Sequence, residues 1–197
     1  MGGVTQMDAL KVLRERRSIR KYRAVPVPDE ILEEIVEAGL YAPSGMNQQP
    51  WYFVVVRTPE KLLQVRAVMS VVAMRFNPIL QQQFQDHPEV ITATNNFMVT
   101  LGDAPACILA FANKKDDSDR DNVIESTSAA IQNMHLAAWN RGIGSCWIGA
   151  PNYVDCGKLF EECFAQGHGE FIAAMTLGYP AEDPKAHKRK SGRYTMI

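Results

Sequence analysis

The chain has no run approaching the ~18 consecutive apolar residues that a membrane-spanning helix needs. Its start, MGGVTQMDALKVLRERR, has no apolar core of a secretory signal, and Gly2 lacks the Ser or Thr context of a myristoylation site. Residues 1–4 therefore read as an added or unordered start. Cysteine is scarce. Cys107, Cys146, Cys156 and Cys163 form no CxxC pair, which excludes a disulfide scaffold and makes a reducing cytoplasm the simpler compartment. The four histidines, at 87, 135, 168 and 187, show no metal-ligand spacing, so each reads as a satisfied structural or surface residue and no metal is expected. GxxxxGK[ST] is missing, and so is the GxSxG elbow of a serine hydrolase. Gly142-Ile-Gly144 begins a GxGxxG, but Trp147 replaces the third glycine and the run precedes a strand instead of following one. The acidic run DDSDRD (116–121) lacks the Gly and Glu of a calcium loop and reads as a solvated helix start.

Net charge is also nearly absent, at −1 from 21 basic and 22 acidic residues. The distribution is not even. Residues 1–23 hold seven basic residues against two acids, and residues 185–197 hold five against none. Each end is therefore +5, and the body between them, with nine basic and twenty acidic residues, is −11. With 46% apolar and 22% charged residues, the composition is that of an ordinary globular chain. A mildly acidic total does not suit a general nucleic-acid binder.

Helix and strand signals alternate. Thr5 to Asp8 reads as a capping box opening a helix with Met7, Leu10 and Leu13 inward, failing near Arg17-Ser18. Pro28 opens a second helix with Ile31, Ile35, Ala38 and Leu40 on its inner side, ended before Pro43. Strands are expected at 51–57, 106–113, 145–150 and 171–180. Thr58-Pro59 caps a third helix carrying Leu62, Leu63, Val65 and Met69. Ser118 and Asp121 open a long helix over 119–141, closed by Gly142, and a shorter one covers 153–165. Cys107 and Cys146 sit in apolar runs and read as buried, and the seven-residue spacing of Cys156 and Cys163 lets them share a helix face. The strands are continuous apolar runs, so the sheet should be covered by helices on both faces of a single domain, 1–197. The long helix is apolar or small-residued almost all round. It suits either a monomer's core or burial against a second copy of itself.

Two segments carry candidate chemistry. Arg16-Arg17-Ser18-Ile19-Arg20 falls where a helix gives way to extended chain, so Ser18 and Arg20 share a side with Arg16 one turn back. Guanidinium forks beside a hydroxyl suit a phosphate or a polarised carbonyl, although a solvated basic stripe, or basic residues complementing a helix C-terminus, is the commoner reading of such a segment taken alone. Ala42 to Trp51 (APSGMNQQPW) is a stiff loop rich in amides, which suit the edge of a flat heterocycle, or is a plain connector.

RRSIRKY, APSGMNQQPWYFVVV and GIGSCWIGAP, in this order and spacing, resemble the nitroreductase family of FMN-dependent oxidoreductases, over about Asp8 to Tyr179. The resemblance implies an α+β homodimer with a central, mostly antiparallel sheet flanked by helices and FMN at the subunit interface. It implies that Arg16, Arg17, Ser18 and Arg20 meet the phosphate, ribityl chain and pyrimidine edge. Pro43, Ser44, Gly45, Asn47 and Gln49 would reach the same flavin from the partner subunit. Ile148, Gly149 and Ala150 would pass its N5 edge, and Arg189, in the 187–190 cluster, would join the phosphate. The tail SGRYTMI departs from the family pattern, and 70–100 matches nothing legible. The implied activity is ping-pong hydride transfer from NADH or NADPH to a nitroaromatic, quinone or similar small acceptor, with no dedicated catalytic side chain, no nucleic acid and no membrane. Reductive dehalogenation on the same fold is an alternative. An alternative of another class is a non-enzymatic protein whose basic ends hold an anionic partner.

Overall fold

Strand β2 (Ala106–Ala112) alternates its side chains between two cores, and the rest of the fold is built around that alternation. The computed structural model describes residues 8–113 and 120–197. Ala106, Ile108, Ala110 and Ala112 pack with helices α2 (Asp29–Leu40) and α5 (Arg120–Asn140). Cys107, Leu109 and Phe111 face the opposite core, with α3 (Pro59–Gln83), α4 (Pro88–Thr100) and α7 (Gly157–Phe164). Every residue of β2 is buried, as is nearly all of β4 (Glu170–Gly178). The expected cover of helices on both faces follows from these continuous apolar runs.

The sheet order is β1-β2-β4-β3, with β1 (Trp51–Val56) and β3 (Gly144–Ile148) at the edges. All three neighbouring pairs are antiparallel. Residues 16–20 run beside β3, and Ser18 forms a parallel bridge to Ser145. Among the described residues no helix is long and apolar enough to cross a membrane.

Several local expectations need correction. Helix α1 (Ala9–Glu15) is capped by Asp8, whose carboxylate accepts from the Leu10 N–H; Thr5 to Met7 lie outside the described residues. Its buried residue is Val12, whereas Leu10 and Leu13 are 56% and 50% exposed. In α2 Ile35 is buried as expected, with Leu32 and Gly39 beside it, whereas Ile31 and Ala38 are half-buried at the edges of the stripe and Leu40 is exposed. In α3 Leu63 is exposed while Leu62, Val65 and Met69 are buried. Ser118 and most of the acidic run at 116–121 lie outside the described residues.

β3 ends at Ile148, since Pro151 and the turn of α6 (Ala150–Tyr153) leave the sheet. The helix expected over 153–165 is two pieces broken at Asp155, which has φ 51°. Cys156 is buried before the second piece and Cys163 is exposed on it, so the two do not share a face. The unread stretch 70–100 is the rest of α3, which continues through Pro78, and then α4 packed against it. Helix α5 is not buried all round. Ala130, Ile131, Met134 and His135 are buried, whereas Glu125 and Gln132 are exposed and Ser128, Ala129 and Leu136 are half-exposed.

Candidate functional site

The arginine segment owes its position to buried hydrogen bonds. Ile19 is fully buried, and its N–H donates to the Ser145 carbonyl of β3 at 3.0 Å. The Tyr22 hydroxyl donates to the Ile19 carbonyl and lies 2.8 Å from the Thr176 hydroxyl of β4. The Tyr22 N–H donates to the Gly102 carbonyl at 3.1 Å. Extended backbone alternates, so burying Ile19 turns Ser18 and Arg20 outward, as expected. Gly144 matters here, because a Cβ at that position would meet the Ile19 side chain at 2.7 Å.

This placement builds a positive pole. Arg16 is half-buried at the end of α1. Burial, and then the neighbouring charges of Arg17 and Arg189, push its guanidinium below the ordinary value. Arg16 and Arg189 therefore lie close enough to repel, which joins the two basic ends of the chain. Among the described residues no carboxylate lies within ion-pair distance of Arg16, Arg20 or Arg189. A half-buried cation without a counter-ion is costly, and an anion with several acceptor oxygens is the natural complement. The donor set therefore fits a phosphate.

Arg17 has another task. Its Nη1 donates to the carbonyls of Arg14 and Arg16, both at 2.7 Å, closing the C-terminus of α1. Arg20 is exposed, with its guanidinium carbon 6.0 Å from the ring centroid of Phe97 on α4. Both help to line a cleft of about 1410 Å³, together with Ser18, Asn96, Glu182 and His187 among others. The Arg20 N–H donates to Glu182. Phe97 and Asn96 belong to the stretch that carried no legible motif.

Below the pole lies a residue that the sequence shows only as a structural histidine. His135 of α5 is 3% exposed, and its Nδ1 is 2.7 Å from the Ser145 hydroxyl. Burial, and then Arg16, push its pKa down to about 4, so it is neutral near pH 7. Its ring stacks on Trp147 at 6.2 Å, and Trp147 is 38% exposed at the surface of β3. Burial pushes the adjacent Cys146 thiol up, with Arg20 and Arg16 acting the other way.

The amide-rich loop lies elsewhere. Gly45 packs on the opposite end of α5, where its N–H approaches the Ser126 hydroxyl at 3.4 Å and a Cβ would strike the Asn122 amide at 2.4 Å. Ser44 accepts from the Gln49 N–H, and the Gln49 side chain donates to Asn47. Met46, Asn47 and Gln49 all have positive φ, at 51°, 54° and 46°. Pro43 and Asn47 are exposed, so the loop presents a stiff polar edge. From Ser126 to His135 the rise of an α-helix gives about 14 Å, and from Asn122 about 20 Å. Pro43, Ser44, Gly45, Asn47 and Gln49 are thus not brought to Arg16 in the same chain. Ile148, Gly149 and Ala150 stand where β3 enters α6, about 10 Å along the strand from Ser145.

A family model described as "Nitroreductase family" matches residues 13–179. A Bacillus subtilis chain provisionally named an NAD(P)H nitroreductase is 30% identical, over 90% of this chain and 87% of its own. Iodotyrosine deiodinase 1 of Mus musculus is 26% identical, over 95% of this chain and 68% of its own. Among solved structures, a nitroreductase with bound FMN from Desulfitobacterium hafniense superposes with a TM-score of 0.75 at 25% identity, covering 97% of this chain and 99% of the other.

Proposed function

Because the chain belongs to the nitroreductase family, we propose that it is an FMN-dependent oxidoreductase that spends NADH or NADPH on nitroaromatic, quinone or similar small acceptors. Family membership decides for an enzyme over the anionic-partner binder. The observation that carries the cofactor reading is the half-buried Arg16, which has no carboxylate within ion-pair distance among the described residues and feels the charge of Arg189, on a segment locked to β3 through Ser145. When bound, FMN would supply the redox chemistry, a ping-pong hydride transfer between nicotinamide and acceptor.

The chain's own residues bind and orient. Arg16, Ser18 and Arg189 hold the phosphate and ribityl end, while Arg17 supports them by closing α1. Arg20 would meet the pyrimidine edge, where its charge would favour an anionic ring. Ile148, Gly149 and Ala150, where β3 gives way to α6, would line its N5 edge. The loop 43–49 completes the site from a second subunit of a homodimer. One chain keeps its two half-sites about 14–20 Å apart along α5, with the helix's small-residued face open between them. Pairing that face about a two-fold axis sets the loop of one subunit against the arginine pole of the other. The exposed Leu10, Leu13, Leu40 and Tyr41 are apolar surface suited to such an interface.

The test starts with colour. Purified protein is expected to be yellow, to release FMN on denaturation, and to be bleached anaerobically by NADH or NADPH and re-oxidised by a nitroaromatic or quinone. Colourless protein that FMN cannot reconstitute overturns the reading. The likeness to iodotyrosine deiodinase favours a second reading, reductive dehalogenation. Flavin that neither nicotinamide reduces, but whose dithionite-reduced form is re-oxidised by a halogenated phenol, supports it instead.

A further inference from the structure

His135 is a buried titratable group to which the oxidoreductase reading gives no task. Four observations meet at it. Its Nδ1 lies 2.7 Å from the Ser145 hydroxyl. The Ser145 carbonyl accepts the Ile19 N–H, and Ser145 bridges Ser18, so this one serine ties the imidazole to the phosphate-facing segment. Arg16 is the charge that acts on the imidazole, and Arg17 and Arg189 act on Arg16 in turn. Its other neighbour on β3 is the Trp147 indole, stacked on one face, while the Cys146 thiol, on which Arg16 also acts, lies on the opposite face of the strand. Glu182, which accepts from the Arg20 N–H, is the acid that acts on Cys146.

A neutral imidazole suits this place while the pole is bare, since a second cation beside Arg16 would be repelled. A phosphate dianion on Arg16 reverses the local field. It outweighs the single charge of Arg16 and makes a proton on His135 favourable. We infer that His135 is a positioning residue that takes up a proton when FMN settles, so that the site grips the phosphate through a cation absent from the flavin-free protein. The proton comes from solvent and returns to it on release, and no covalent bond changes. This rests on the reading of Arg16 as part of the phosphate seat.

The experiment titrates FMN and riboflavin into flavin-free wild-type protein and into His135→Asn, following flavin fluorescence between about pH 5.5 and about pH 8. Asn places an amide near Nδ1, which keeps the Ser145 contact, and it cannot titrate. The phosphate's own titration is common to both proteins and cancels in their ratio. The wild-type-to-variant ratio of FMN affinities is expected to rise about threefold or more as the pH falls across this range. Riboflavin, lacking the phosphate, should show no such rise. Ser145→Ala should weaken FMN at every pH yet keep the wild-type slope. Should His135→Asn fail to fold, the imidazole C–H resonances of the wild-type protein give the same answer. Their titration midpoint should rise by about two pH units or more with FMN and not with riboflavin. Equal affinity for FMN and riboflavin overturns the phosphate seat itself. A preference for FMN with a pH-independent ratio leaves the seat standing and overturns the role of His135.

Discussion

The two polar segments that flank α5 are held in opposite ways. The arginine segment is fixed from outside. Ile19 and Tyr22 are sunk in the core, and their backbone groups and the Tyr22 hydroxyl bond to Ser145, Gly102 and Thr176. The loop 43–49 is fixed from within. Its bonds run between Ser44, Asn47 and Gln49, its shape comes from three consecutive-range positive φ angles, and its tie to α5 is one long contact. The first arrangement lets the protein hold charge where charge is unfavourable. The second leaves a preformed polar edge exposed at the surface. A charged seat needs the core's rigidity, whereas an edge that meets a partner needs only its own.

Breaking the external supports should have the largest effect. Gly102 sits at φ +63°, and a Cβ there would lie 2.0 Å from the Arg20 carbonyl oxygen, which cannot move without dragging the segment. Gly102→Ala is expected to cost about 3–5 kcal/mol of stability in chemical denaturation, and any folded protein should have lost FMN. A midpoint within experimental error of wild type would show that the segment is not held this way.

Acid should expose the same dependence. His135 is held neutral at a folded pKa of about 4, below the ordinary histidine value of 6.5, so the unfolded chain binds more protons between these limits. The stability that neutral burial contributes is present above about pH 6.5 and is lost as pH falls toward about 4, up to roughly 3 kcal/mol. Flavin-free His135→Asn should have a flatter acid branch than wild type in a denaturation series across that window. Parallel branches would refute the assignment.

Arg16→Ala with Ser18→Ala separates function from stability. Losing charge-assisted bonds to a phosphate should weaken FMN by about tenfold to a hundredfold. The flavin-free variant should be no less stable than wild type, because a half-buried cation with no carboxylate has been removed. Unchanged flavin affinity would show that the phosphate sits elsewhere.

Much of this contrast was visible in sequence. The apolar runs announce four strands, of which the central β2 and β4 are buried on both faces, and RRSIRKY, APSGMNQQPW and GIGSCWIGAP mark the segments that meet α5 and β3. Tertiary relations were not visible. Nothing in the spacing of Arg17 says that it will turn back onto the α1 carbonyls, since that depends on where the helix ends. His135 lies in a stretch of small residues with no partner nearby in sequence, and Ser145 reaches it only because β3 passes beside α5. Phe97 reaches Arg20 because α3 runs on through Pro78 and returns as α4, a course hidden by a proline where a helix should stop. The positive φ at Met46 and Gln49 is equally silent, as neither residue type advertises it.

The smallest expected effects lie in the self-held loop, and they test whether its edge faces a second subunit. A Cβ at Gly45 would strike the Asn122 amide at 2.4–2.8 Å, and Asn122 is a side chain that can swing aside. Gly45→Ala should therefore cost only about 1 kcal/mol of stability. The shift it forces on the loop should appear in FMN affinity, and the loss should be larger in the dimer than in any monomer that dilution produces. Met46 is 87% exposed at φ 51°, a conformation that Asn tolerates better, so Met46→Asn should be neutral to about 0.5 kcal/mol stabilising. If Gly45→Ala instead unfolds the protein while leaving flavin binding per folded molecule intact, the loop is an internal brace. The distinction between a core-held seat and a self-held edge would then fail at the second of its two terms.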